Sequence, residues 1–403
     1  MQEKSDQGKF HVPADEIHAR TKRIQAALRR RDIEAMLVVQ RMDLFYFSGT
    51  AQRGWLFIPT DGDPLLMIRK YAPRARRESA LEPVPEVTSA KELPGLIRDF
   101  HGRIPRTLGL EFDVIPVREY MFYQRLFPGT ELVDASPAIL EIRTVKSPWE
   151  IARIEETAGR SALLFDFMRE SLRPGMSEME YSGVLEARAR KLGHASRIRV
   201  RDYQTEGYSW HILSGESGSR LGLLDSPASG EGTSPAFPCG AGYRPLRPQE
   251  PIMIDFTFVL NGYHVDETRM FSVGPMPEKA RRGCEAAIEI HNGILDVAEP
   301  GIPAGHIYET ARRLAQKLGV SEQFLGPRGY KVAFVGHGVG LELVEPPLLA
   351  KNRKDHLKPG MVFSLEPKLV FEGEFTVGIE SVIQVTESAC RLLTRIPVQV
   401  FIC

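Results

Sequence analysis

Apolar positions along this chain change period several times, and each change marks an element. Residues 15–31 carry apolar side chains at helical spacing, and 35–40 is a short apolar run that reads as a buried strand. Residues 55–59 and 65–69 read as strands about the turn Thr60-Asp61-Gly62-Asp63, and 107–111 reads as another. Helix and strand in alternation predict an α/β domain ending near Pro137. A polar tail precedes it over 1–12.

Beyond residue 145 the order changes. A long amphipathic helix is expected over 149–172, stopping at Pro174-Gly175, and Ser177-Glu178-Met179-Glu180 reads as the start of the next. A second helix pair is expected over 277–298 and 304–318, again parted by a Pro-Gly turn, Pro300-Gly301. Strands follow each pair, so the 145–403 region repeats one plan twice. Residues 215–250 are rich in Gly, Ser and Pro without periodicity; so long an irregular segment inside a domain is usually functional, and it is expected to line a cleft.

The strands after each helix pair carry carboxylates where apolar residues are expected. Asp255 interrupts Ile252-Met253-Ile254-Asp255-Phe256, and an isolated buried carboxylate is costly enough to need a partner. Residues 252–260 and 263–272 flank Asn261-Gly262, the strongest short hairpin signal. In that hairpin Leu260 faces Tyr263, so Asp266 lies opposite Thr257, two residues from Asp255. Both carboxylates then share one face as diagonal neighbours, roughly 7–8 Å apart at the backbone. A metal pair about 3.5–4 Å across can bridge that separation. Residues 361–365 and 376–385 read as a second strand pair with Glu372-Gly373-Glu374 as its turn, which sets Glu366 opposite Glu380. Pro367 interrupts ladder pairing there. His337 stands among glycines in Gly336-His337-Gly338-Val339-Gly340. Four carboxylates and one imidazole suit manganese, cobalt, iron or zinc.

Composition narrows the alternatives. Lys plus Arg and Asp plus Glu both number 52, which gives no electrostatic case for nucleic acid or a membrane surface. Cys239, Cys284, Cys390 and Cys403 are scattered, as expected of reduced thiols in a cytoplasmic protein. The polar start lacks the apolar core of a signal peptide, and no apolar run approaches the roughly 20 residues of a membrane span.

The segments MIDFTFVLNGYHVDETRMFSVG, VGHGVGLELVEPP, FSLEPKLV and VGIESVIQVTE resemble the metal-binding motifs of the pita-bread metallopeptidases, the family of Xaa-Pro dipeptidases, Xaa-Pro aminopeptidases and methionine aminopeptidases. RIQAALRRRDIEAMLVVQRMDLFYFSGT resembles the accessory domain of the creatinase and prolidase branch. The resemblance implies an α/β (α+β) protein, with a creatinase/prolidase-like domain over 13–140 and a pseudo-twofold pita-bread catalytic domain over 145–403. It implies two divalent ions held by Asp255, Asp266, His337, Glu366 and Glu380, with Asp266 and Glu380 bridging and Glu366 moving the proton. It also implies release of N-terminal residues from small peptides, and a homodimer. Two histidines of the family pattern are replaced. Val344 stands seven residues after His337, and ESGSRLGLLDS follows Leu213-Ser214-Gly215. His264, on the strand face of Asp266, and His211 are the candidate substitutes, with Trp210 and Tyr208 as candidate pocket walls. Creatinase, a lyase acting on dimethylsulfoniopropionate and non-catalytic pita-bread modules define two further readings: a non-peptide substrate, or a binding module.

Overall fold

A computed structural model of the protein describes residues 10–202, 207, 210–222 and 226–403. Contacts divide the chain into two compact units, Met1–Arg143 and Thr144–Cys403. Most of the 1–12 tail and Tyr208 lie outside the described residues.

In the first unit the central strand Ala35–Val38 pairs antiparallel with Gly54–Pro59 and parallel with Thr107–Leu110. Leu65–Arg69 and Glu131–Asp134 extend the sheet, and Glu86–Val87 completes six strands. Leu37, Phe57, Met67 and Leu108 pack in one cluster on one face, and their neighbours Met36, Leu56, Ile58 and Leu66 are buried too. A sheet buried on both faces reads as continuous apolar runs, which is why its strands are conspicuous in the sequence. One reading overshoots. The strand stops at Val38, and the Gln40 side chain accepts the backbone N–H groups of Met42 and Asp43, capping the helix Arg41–Ser48. Three aromatic or β-compatible residues in RMDLFYFS obscure that helix, and the cap is what starts it.

The second unit holds both helix pairs, Pro148–Ser171 with Glu178–Lys191 and Glu278–Leu295 with Ala304–Lys317. Ser147 with Glu150, and Ser177 with Glu180, form reciprocal capping boxes that fix where the first two begin. Two sheets bear the site. One runs Phe401–Ile402, Tyr263–Ser272, Ile252–Leu260, Trp210–Ser214; the other runs Glu345–Ala350, Phe334–Gly338, Val362–Leu365, Ser381–Val385, Cys390–Leu392. They meet where Glu380 N–H donates to Thr268 O at 3.1 Å, and Arg269 locks that junction. Its buried guanidinium donates to the carbonyls of Thr268, Glu380, Ile396 and Pro397 at 2.6–2.8 Å.

The irregular 215–250 segment is organised by one buried carboxylate. Glu178 Oε1 accepts the N–H and the hydroxyl of Ser214, both at 2.7 Å, and the Ser217 hydroxyl; Oε2 accepts Gly242 N–H at 3.0 Å.

Candidate metal centre

The first carboxylate pair stands as the hairpin arithmetic requires. Leu260 pairs with Tyr263 and Thr257 with Asp266. Asn261 and Gly262 take φ values of 53° and 89°, the two left-handed positions of a type I′ turn. Thr257 Oγ1 donates to Asp266 Oδ1 at 2.8 Å and fixes that carboxylate.

The second pair keeps its register but not its continuity. Leu365 pairs with Ser381, and Lys368 pairs with Gly378, so Glu366 and Glu380 fall at opposed positions. Each expected long strand breaks there, because Pro367 has no N–H to give the ladder. The outer parts join the five-stranded sheet, and the inner parts, Lys368–Phe371 and Phe375–Gly378, form a hairpin of their own. Glu366 N–H turns instead to Val335 O at 2.9 Å. Glu380 is held by the hydroxyls of Ser364 and Thr268, both at 2.8 Å.

His337 comes between the pairs. Its Nε2 lies 3.9 Å from Asp266 Oδ2 and 3.7 Å from Glu366 Oε1. Ligand atoms of Asp266, His337 and Glu380 lie within 4.8 Å of one another, all buried, a donor set that suits one divalent ion. Four of the five expected ligands thus share this corner.

Asp255 is engaged otherwise. The Lys368 ammonium lies 2.8 Å from Asp255 Oδ2, 2.8 Å from Glu366 Oε2 and 3.3 Å from Glu380 Oε2. Lys368 is 2% exposed. It is not among the residues that the motif pattern marks. The available signal was its place two residues after Glu366, hence on one side of an extended chain.

The electrostatics follow from burial and crowding. Burial, then the charges of Glu380 and Asp255, raise the Asp266 carboxyl well above its usual range. Burial, aided by Glu366 and Asp255 and opposed by Lys368, lifts Glu380 to about 8. Burial would also raise Asp255, but the charges of Lys368 and His211 outweigh it and hold Asp255 below its ordinary value. Burial disfavours the Lys368 ammonium, and its three carboxylates more than compensate, raising it well above the ordinary lysine value.

The two candidate histidines part company. His264 is buried, its Nδ1 is 3.0 Å from Gly340 O, and its Nε2 accepts Arg199 N–H at 3.2 Å. Both nitrogens serve backbone, so the expected substrate-facing role is corrected to a structural one. Two residues of strand carry a side chain about 7 Å along the sheet, enough to take the ring from the carboxylates to the Gly340 loop. His211 pairs across the strands with Asp255, and its Nε2 lies 3.2 Å from Cys239 Sγ, in the irregular segment. Burial keeps its pKa below the usual value. Trp210 is half-buried; it stacks on Phe256 with ring centroids 3.8 Å apart and donates to Glu186.

The Creatinase/Prolidase N-terminal domain model matches residues 20–145. The chain is 24% identical over 381 residues to an Xaa-Pro dipeptidase of Pyrococcus furiosus, covering 93% of this chain and 97% of that one. It is also 24% identical over 290 residues to an Xaa-Pro dipeptidase of Lactobacillus helveticus, covering 72% and 70%. Among solved structures, an Xaa-Pro dipeptidase from Bacillus anthracis superposes with a TM-score of 0.82 at 22% identity, covering 96% of this chain and 100% of that one. An X-Pro aminopeptidase from Thermotoga maritima gives 0.78 at 23%, covering 94% and 100%; at such identities the likeness speaks for the fold. The model of Metallopeptidase family M24 matches residues 152–387, more than half the chain and all of the carboxylate-bearing strands, and the chain belongs to that metal-dependent, pita-bread family.

Proposed function

We propose that this chain is a metal-dependent hydrolase that releases the N-terminal residue of a peptide, of the Xaa-Pro dipeptidase or aminopeptidase type. The observation that carries the reading is the approach of Asp266, His337 and Glu380 within 4.8 Å, with Glu366 beside them. The names of the relatives agree with it. Asp266, His337, Glu366 and Glu380 would hold manganese, cobalt, zinc or iron. Such an ion, when bound, polarises a carbonyl oxygen and acidifies a water. The remaining work falls to side chains. Hydroxyls of Thr257, Ser364 and Thr268 keep Asp266 and Glu380 aimed. Lys368 holds Glu366 Oε2, which leaves Oε1 toward His337, placed to take a proton from the attacking water and return it to the departing amine.

A second reading, a small non-peptide substrate at the same centre, is favoured by Val344, which stands exposed where the family resemblance calls for a histidine. A mass-spectrometric screen of the metal-supplemented protein against Xaa-Pro and other peptides separates the two, with Asp266→Ala as control. Release of the N-terminal residue, abolished in the control, is the expected result. Bound metal without turnover of any peptide would refute the peptidase reading and leave the non-peptide one.

A further inference from the structure

Lys368 does more than neutralise one neighbour. Its ammonium is ringed by oxygens from three separate segments, Asp255 on one hairpin, Glu366 before the broken strand and Glu380 after it. Asp255 and Glu380 are two of the three carboxylates expected to surround one ion of a pair. The ammonium has three N–H groups, and three carboxylates receive them.

The surroundings are shaped for that lysine. Lys368 pairs directly with Gly378 in the inner hairpin. A Cβ at residue 378 would lie 2.6 Å from Lys368 Cγ and 3.3 Å from its Cα and Cβ. The lysine stem therefore occupies the space that any side chain at 378 would need, and the bare backbone there is what lets the stem run inward. Burial of an ammonium is tolerated only when it is paired and bonded, and all of its bonds here go to the metal centre.

A divalent ion at the Asp255 corner would compete with the ammonium. Such an ion binds carboxylate oxygen at about 2.0–2.2 Å, and the ammonium holds one oxygen each of Asp255, Glu366 and Glu380 at 2.8–3.3 Å. The other corner keeps a complete set: Asp266, His337, Glu380 and the outward Glu366 Oε1. Glu366 spans the two, with Oε2 on the ammonium and Oε1 toward His337. It joins an ammonium to an ion as a bridging carboxylate would join two ions.

We propose that Lys368 supplies the second cation of this centre, so that the chain takes one divalent ion, on the Asp266–His337–Glu366–Glu380 side, and not the pair the sequence motif implies. The inference rests on the metal-hydrolase reading above but can fail without it.

The test is a count of ions per chain. Full-length protein, stripped and then equilibrated with excess Mn2+, is desalted and measured by native mass spectrometry. The Mn2+ resonance spectrum is recorded alongside, because ions about 3.5–4 Å apart couple magnetically and an isolated ion does not. One ion per chain with an isolated-ion spectrum is expected for the wild type. Lys368→Gly and Lys368→Ala, which vacate the corner, are expected to take two, with a coupled spectrum. Two coupled ions in the wild type would overturn the inference while leaving the hydrolase reading intact, and that outcome does not depend on either variant folding. One ion in both folded variants would also overturn it. No ion in wild type or variants, with Mn2+, Co2+ or Zn2+, would overturn both readings together.

Discussion

Gly378 offers a way to disturb the centre without touching any of its ligands. In Gly378→Ala the new methyl would lie 2.6 Å from Lys368 Cγ, well inside the ordinary contact distance. The first side-chain torsion alone sets where Cγ lies, so relief needs rotation about the Cα–Cβ bond, and any other staggered position swings Nζ away from its three oxygens. Asp255, Glu366 and Glu380 then remain buried without their cation. Removing one partner of a buried ion pair typically costs 3–5 kcal/mol, and some of that cost is relieved as carboxylates take up protons. Glu380, lifted to about 8, already carries a proton in most molecules at pH 7.5 and so adds little further relief. A net loss of about 3 kcal/mol is expected, which for a unit of this size lowers Tm by roughly 6–12 °C. Differential scanning calorimetry of metal-stripped Gly378→Ala and wild-type protein at pH 7.5 measures it. A Tm for Gly378→Ala within about 2 °C of wild type would refute the reasoning, since the lysine would then be shown to move at no cost.

Three further outcomes follow from particular contacts. Glu178→Ala leaves the Gly242 N–H without its acceptor and removes the carboxylate from Ser214 and Ser217; at about 1–3 kcal/mol for a stranded buried donor, it should lower Tm and speed hydrogen exchange at Gly242, and unchanged exchange there would contradict the anchoring role. His291 is buried with its pKa lowered to about 4, mainly by burial. Between pH 6.5 and 4 the unfolded chain therefore binds a proton that the folded one refuses, so stability falls as pH falls, by roughly 1.4 kcal/mol per pH unit. His194 and His264, also lowered to about 4, add slopes of the same sign, so His291→Phe should reduce the total by that one share, and parallel urea midpoints for both proteins across this window would rule it out. Gly262→Ala places a Cβ at φ 89° in the type I′ turn; a cost of about 1–2 kcal/mol in urea denaturation is expected, and none would mean that the turn relaxes to another type.

Much of the centre was legible because hairpins convert sequence into geometry by counting. Asn261-Gly262 alone fixes which residues oppose Asp255 and Asp266, and the turn at Glu372-Gly373-Glu374 sets Glu366 against Glu380 even though Pro367 splits the strand between them. The capping boxes at Ser147 and Ser177 likewise locate two helix starts, being local bonds between residues three apart. Lys368 was harder, because its direction depends on a glycine across the hairpin and its partners lie up to 113 residues away. His264 misled for a related reason: a shared strand face says which way a side chain points, but not that a distant loop at Gly340 will be waiting for it. Arg269 could not be read at all, since four of its acceptors are backbone carbonyls, which every residue carries.

The junction of Thr268 with Glu380 also has a kinetic meaning. Each carboxylate pair is made by a short-range hairpin, whereas the Thr268–Glu380 contact joins residues 112 apart. Closing a loop of that length carries an entropic cost before any bond rewards it, so the two halves of the centre are expected to dock late in folding. An ion shared by Asp266 and Glu380 would clasp the seam that forms last. Its stabilisation would then appear as slower unfolding, with little change in the rate of folding.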